Sequence, residues 1–531
     1  MGCKGSESRQ CKSLISFLRQ AILFDGLLPE SKKDVRLSRL QSYANQLVNF
    51  RATHAADFPP RSPDVLVRPR DLLATSPPTR SKSLSASPFM VSVIIESLQR
   101  SKHAHLTTVV PGEADAFCAE AARQGRATIL TSDSDLLVHD LGDEGRVILF
   151  RDFEVVHLAS KGKCIKAVEY FPNGIANRLA LPNLVKAAYF MSEDNHRSFT
   201  EAVRLAKTQE PSNPEYRGFE QLYGSLPVHS DFADTCTRNP RSPFSQVLSK
   251  LDPRISELVH QLKPLMESGD TNTSPRPLTM YFPFMIDDPT KTSTWRFGDD
   301  IRRIGYSALR LVDPNIASIE EVERKGTRIA ASSVPLSNVE STLLGAKNLV
   351  TKLQEASQIT SGLSPSAAWR CFAMETALGW SVRNLKPLPT QHETITLTLT
   401  PRTAPLTWRA IHASASVQSV IYSLRIVGQL LAVVVAFCEA MGSYNEEIKD
   451  LRPLLTLLES IPGLAEVLED SDERDQTSEA QKLVSEIFAR YRGTSDGETK
   501  AKKRQKKKVT EESDKTKQST WQKSNPYAAL S

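Results

Sequence analysis

Two acid–x–acid pairs stand twenty residues apart in this chain: Glu113 and Asp115 in the run Val109-Val110-Pro111-Gly112-Glu113-Ala114-Asp115, then Asp133 and Asp135 around Ser134. A fifth acid, Asp25, closes the apolar run Ile22-Leu23-Phe24. Carboxylates crowded together cannot all stay ionised without countercharge. Oxygen-preferring divalent cations, Mg²⁺ or Mn²⁺, supply that charge. Two such ions can activate water and stabilise the leaving oxygen in phosphodiester hydrolysis. A plainer reading stands beside this one. Acid pairs occur by chance at ordinary composition, and helix N-termini collect acids for capping alone. Chemistry is favoured because each pair follows its own strand and one helix joins the two.

The positioning elements follow from pattern. Ile22–Phe24 reads as a strand stopped at Asp25-Gly26, and residues 32–50 as a helix with Leu40, Tyr43, Ala44 and Leu47 at helical spacing. Val91, Ile94, Ile95 and Leu98 mark a second amphipathic helix. A strand over 106–110 leads into a helix with Ala114, Phe117, Cys118 and Ala121 inward, ended by Gly125 at a C-cap position. Strands over 127–131 and 146–150 follow. Strand–helix alternation predicts a parallel α/β sheet with helices on both faces. Glu113 and Asp115 then open a helix, where the dipole favours acids, and Asp133 and Asp135 sit at the carboxyl edge of the sheet, where ligands bind in such folds.

Cations accompany the acids. Lys32, Arg36 and Arg39 recur at i, i+4 and i+7 on one helix face, either as phosphate contacts or as a solvated surface. The Pro/Ser/Arg-rich stretch 59–88 reads as a mobile insertion in which Arg61, Arg68, Arg70, Arg80 and Lys82 could reach a backbone. His103, His105 and His139 show no ligand spacing. The aromatics Tyr281, Phe282, Phe284, Trp295 and Phe297 read as core.

Composition sets the bounds. With 531 residues, 40% hydrophobic and 24% charged, the chain is globular and exceeds one compact domain. The 67 basic against 61 acidic residues give +6, yet seven basic residues lie between Lys500 and Lys508, so the remainder carries −1. Any nucleic-acid surface on the folded body is a local patch. Seven scattered cysteines without CxxC spacing argue against a disulfide framework and for a reducing compartment. The apolar run 430–438, within 426–441, reads as a buried helix too short to span a bilayer, so a soluble, intracellular chain without membrane association is expected. The region 366–468 reads as helical, with a strand-like interruption over 393–400 where Ile395, Leu397 and Leu399 alternate. From 469 onward the composition predicts a disordered tail, acidic and then basic.

The stretches from Val110 to Glu120 and from Ile129 to Val138 resemble the internal region of the XPG/flap-endonuclease superfamily, and Phe24-Asp25-Gly26 with Leu28-Pro29 and the basic helix resemble its N-terminal region. Asp287-Asp288-Pro289 through Trp295-Arg296-Phe297-Gly298, with the long helical half, is similar to the fungal branch of the asteroid-type proteins. The resemblance implies a PIN-like nuclease domain, placed over 12–156; pattern and composition then give a helical and irregular connection over 157–365, an apolar helical domain over 366–468 and the tail over 469–531. The resemblance further implies that Asp25, Glu113, Asp115, Asp133 and Asp135 hold Mg²⁺ or Mn²⁺, and that Lys32 and Arg39 face phosphates of single-stranded or branched DNA. The implied activity is endonucleolytic, in repair or nucleic-acid processing; the implied alternative is a catalytically impaired binding or scaffolding protein. The family's opening strand with a further Asp, and its glycine-rich helix-two-turn-helix, find no match here: Glu7 is the sole acid before Asp25, and no such turn lies between Pro172 and Leu205.

The basic run Lys502, Lys503, Arg504, Lys506, Lys507 and Lys508 suits nuclear import. Deleting residues 500–508 is expected to move a fluorescently tagged chain from nucleus to cytoplasm; an unchanged nuclear fraction makes the tail merely solvated.

Overall fold

The computed structural model describes residues 11–13, 21–55, 84–158, 162–194, 196–211, 214–224, 242–263, 274–404, 406–442, 446–469 and 472–492. The basic tail, and all but the last residues of the Pro/Ser/Arg-rich insertion, lie outside these.

The acidic motifs are carried by a mixed α/β unit. Strand β1 (Cys11–Ser13) precedes β2 (Ile22–Asp25), which pairs in parallel with β3 (Thr107–Val110), Asp25 standing opposite Val110. Between them run helices α1 (Lys33–Thr53) and α2 (Met90–Gln99). Helix α3 (Ala114–Gly125) leads to β4 (Thr128–Thr131), paired in parallel with β5 (Arg146–Leu149). Strand β7 (Gly162–Ala167) lies between β1 and β6 (Phe153–Leu158), antiparallel to both. The single parallel sheet expected from the sequence is thus two parallel pairs among the described residues, bridged by α3, which packs on β2, β3 and β4.

Helix α1 buries Leu40, Ala44 and Leu47, as its spacing predicts. Other faces turn out differently. Helix α2 buries Ser92 and Ile95 and leaves Val91 and Ile94 exposed. Its orientation is set by Glu96, whose carboxylate accepts from Arg425 at 3.1 Å and from the Leu464 amide at 2.7 Å. In α3 the buried residues are Ala119 and Ala122, not Ala121, and the left-handed cap is Arg126 (φ 52°) instead of Gly125.

Among the described residues there follow α4 (Pro172–Arg178), α5 (Val185–Glu193), α6 (Phe199–Thr208), α7 (Pro214–Gly224), α8 (Pro243–Leu248) and α9 (Pro253–Val259). The stretch expected to be helical and irregular then holds a sheet: β8 (Arg276–Tyr281) parallel to β9 (Ile316–Lys325), itself antiparallel to β10 (Arg328–Pro335). Strand β9 hid from hydropathy because its buried residues include Glu321, Glu323 and Arg324. Those charges are met. Arg302, on α10 (Asp299–Ala308), is fully buried and donates to Glu321 at 2.6 and 3.0 Å, to Asp299 at 2.8 Å, to the Trp295 carbonyl at 2.8 Å and to Ser423 at 2.9 Å. Its guanidinium lies 4.6 Å over the Phe282 ring, which stacks on Trp295 at 4.3 Å. The aromatic run is core.

Further helices are α11 (Val339–Ile359), α12 (Pro365–Arg383), α13 (Gln391–Leu399), α14 (Trp408–Ala440), α15 (Glu446–Glu459) and α16 (Leu464–Glu469), with another over residues 478–492. The alternating stretch read as strand-like is helix α13. Thr390 and Glu393 form a reciprocal capping box that nucleates it. Burial of Thr394, Thr396 and Thr398 together with Leu397 and Leu399 removes the polar face that would betray a helix. Helix α14 runs unbroken for 33 residues, well beyond the segment read as too short; by length and composition it could cross a membrane, and 72% of its most apolar window is buried within the protein.

The acidic unit and helical half interlock. Helix α1 packs on β10, α2 on α16, and Arg51 at the end of α1 reaches Asp288 at 3.6 Å and the Trp408 ring at 5.0 Å. Tightness also shows at Gly26, just after β2. A Cβ there would stand 2.1 Å from the Val110 carbonyl oxygen and 2.6 Å from Ser256 Oγ. Gly26→Ala is therefore expected to destabilise the chain by about 1–3 kcal/mol, the usual cost of overpacking; chemical denaturation measures it.

Candidate active site

The acids are assembled by two turns stitched together. The Gly26 and Leu27 amides both donate to the Gly112 carbonyl, at 3.1 and 3.3 Å, tying the turn after β2 to the turn after β3. Asp25 Oδ1 then accepts from the Ala114 amide at 2.7 Å and so caps α3 from a distant strand. Glu113 is the N-cap residue yet makes no side-chain cap; its Oε1 takes the Lys32 ammonium at 2.6 Å. After β4, Thr131 Oγ1 accepts from the Asp133 amide and Asp133 Oδ1 from the Asp135 amide, both at 3.0 Å. Leu136, buried in the apolar cluster beneath, anchors that loop.

Asp25, Glu113, Asp115, Asp133 and Asp135 thus gather at the carboxyl ends of β2, β3 and β4. The electrostatics record it. Burial, then the charges of Asp133, Asp25 and Glu113, push the Asp115 carboxyl up to about 6, with Lys32 opposing. Burial and Asp133 also raise Asp135. Cys118, one turn along α3, is pushed up to about 11 by burial and by Asp115 and Asp25, which leaves a thiol and no nucleophile. His139 falls to about 4 through burial and the nearby Lys32, so its imidazole is neutral at pH 7.

The basic residues separate. Lys32 lies in a short 3-10 turn ahead of α1 and keeps its ammonium at the cluster, partly open to solvent. Arg36 turns away: its guanidinium pairs with Glu257 and lies 5.0 Å over the Tyr281 ring, where burial, then Arg254, lowers its pKa. Arg39 is exposed.

Carboxylate oxygens and uncompensated charge at Asp115 suit a hard divalent cation. Among the described residues, however, no three Asp, Glu, His or Cys side chains are gathered closely enough to hold a metal ion. Asp25 and Glu113 are each engaged with a protein donor that a cation would have to displace. Two further residues at the cluster were not anticipated as members of it: Tyr223 of α7, whose hydroxyl donates to Asp135 Oδ2 at 3.5 Å, and His139, whose ring meets Tyr223 edge-on at 5.0 Å. The signal in the sequence was the stripe Tyr216, Phe219 and Tyr223 at i, i+3 and i+7.

A family described as XPG domain containing matches residues 86–336, which include both acid pairs. That match supports the XPG/PIN-like nuclease superfamily and a nuclease-like function on nucleic acids. No curated protein and no solved structure matches the chain.

The raised Asp115 pKa has a definite pH signature. The folded form holds this proton more tightly than the unfolded chain, so the stability contribution is full below pH 3.8 and is lost as pH rises through about 6. Asp115→Asn is expected to raise the melting temperature at pH 7.5 by about 2 °C, with the gain vanishing by pH 4. Calorimetry of both proteins across that range is the check.

Proposed function

We propose that this chain is an asteroid-type relative within the XPG/PIN-like nucleases, of the fungal kind, and that it hydrolyses phosphodiester bonds of DNA with single-stranded or branched structure. The observation that carries the reading is the crowding of Asp25, Glu113, Asp115 and Asp133 around one point, strong enough to lift Asp115 to about 6. Such an arrangement costs stability unless a countercharge neutralises it. Mg²⁺ or Mn²⁺, once bound, would supply countercharge and Lewis acidity for attack by water. The chain's own part is to present Asp115, Asp133 and Asp135 from one rigid corner and to offer Lys32 and Arg39 to flanking phosphates. Arg36 is left out of that role because Glu257 holds it. Nuclear residence, and work in DNA repair or nucleic-acid processing, belong to the same proposal and rest on the basic run from Lys502 to Lys508.

A second reading is favoured by a specific observation: Lys32 already neutralises Glu113, Asp25 is engaged as a helix cap, and no metal cage is formed among the described residues. On that reading the protein binds nucleic acid without cutting it. Incubating the full chain with flap, bubble and single-stranded DNA, in Mg²⁺ or Mn²⁺ and in chelator, separates the two. Asp133→Asn with Asp135→Asn is expected to lower metal-dependent cleavage at least about a hundredfold while leaving the melting temperature unchanged or higher. Equal cleavage by the double variant removes the catalytic assignment; absence of cleavage by the unaltered chain, with binding retained, leaves the second reading.

A further inference from the structure

Helix α7 carries its aromatic residues in one stripe, and the stripe is continuous with the core of the helices around it. Tyr216 and Phe219 meet Tyr189 of α5 at 5.1 and 5.5 Å, and Phe219 meets Tyr223 at 4.9 Å. Tyr189 and Tyr216 belong to an apolar cluster with Leu205 and Ala206 of α6. Tyr223 is the end of that ladder, and beyond it lie His139 and Asp135.

The loop bearing Asp133 and Asp135 is held from inside by its own turn: Asp133 receives the Asp135 amide and Thr131 the Asp133 amide. These bonds shape the loop from within and do not tie it to another element. They leave the Asp135 carboxylate free to swing, and Asp133 beside it repels the charge. Among the described residues, the hydrogen bond that reaches this carboxylate from outside the loop comes from the Tyr223 hydroxyl, 88 residues away, while Lys32 acts on it through charge. A phenol is well suited, because it donates one hydrogen bond without adding charge, and its ring is held on one side by Phe219 and edge-on by His139. His139 is itself buried.

We propose that Tyr223 is a positioning residue of the acidic site: its hydroxyl orients the Asp135 carboxylate, and the ladder Tyr189–Phe219–Tyr223 transmits the rigidity of the α5–α7 helices to that carboxylate. The proposal rests on reading Asp135 as a site carboxylate. Hydrogen-bonded partners of such carboxylates commonly contribute 10–100-fold to metal affinity or activity when removed. The α5–α7 unit is then part of the site and not only a neighbour of it.

Tyr223→Phe in the full chain deletes the hydroxyl and keeps the ring, so the ladder stays packed; an unchanged melting temperature verifies this. Hydrogen exchange read by mass spectrometry in metal-free buffer is expected to accelerate severalfold in peptides covering 131–139 and to remain unchanged in α5 and α6. In Mn²⁺-dependent cleavage, kcat is expected to fall about tenfold with KM unaltered, a split that packing loss does not produce. Unaltered exchange over 131–139 overturns the proposal, as does full cleavage activity in Tyr223→Phe when Tyr223→Leu alone is impaired. Should the unaltered chain cut no DNA, the nuclease reading fails by itself, and the exchange measurement still decides whether Tyr223 holds Asp135.

Discussion

Five carboxylates at one corner of a fold impose a constraint that the surrounding structure answers piece by piece: negative charge taken partly out of water must be met or neutralised. Lys32 meets Glu113, the amide at the start of α3 meets Asp25, the Asp135 amide meets Asp133, and a phenol meets Asp135. Asp115 receives no comparable donor among the described residues and answers with its proton, its pKa lifted to about 6. The neighbours follow suit, Cys118 staying a thiol and His139 staying neutral. A corner built this way is receptive to cations and hostile to anions unless a cation comes with them.

The same accounting, with the opposite solution, governs the helical half. Around Arg302 the guanidinium and Glu321 are buried, Asp299 is partly so, and every Arg302 donor is spent, on Glu321, Asp299, Trp295 and Ser423, while Tyr306 adds a hydrogen bond to Glu321 at 2.9 Å. A network of this kind is costly to break from one side, and it holds β9 against α10 and α14. Through Arg51, Asp288 and Trp408 that region reaches α1, the helix that follows Lys32. Thus the scaffold is closed by paired charges, whereas the acidic corner keeps an excess of negative charge.

Much of this was legible in order of residues alone. The two acid pairs, the strands before them and the helix between them are local patterns, and β2, β3, α3 and β4 fall where apolar runs and turn residues place them. The inward face of α1 was likewise set by spacing. Local pattern misled where burial was nearly complete or where ions were buried: helix α13 resembles a strand because its threonines are inside, and β9 resembles a surface segment because its charges are inside. It also misjudged α2, whose exposed face is apolar and whose orientation is dictated by a carboxylate binding partners 329 and 368 residues away.

The sequence by itself determined which residue types could do chemistry and that they lie on consecutive elements of an α/β unit, because those facts depend on neighbours along the chain. Tertiary structure alone decided which of them meet. Lys32 joins the acids and Arg36 leaves them for Glu257, although both stand on what reads as one basic face, because one helix turn points toward the strand ends and the next toward α9. Asp25 became a helix cap and Tyr223 a partner of Asp135 for the same reason: contacts across 88 and 89 residues are settled by how elements pack, and no spacing in the chain encodes a distance through space.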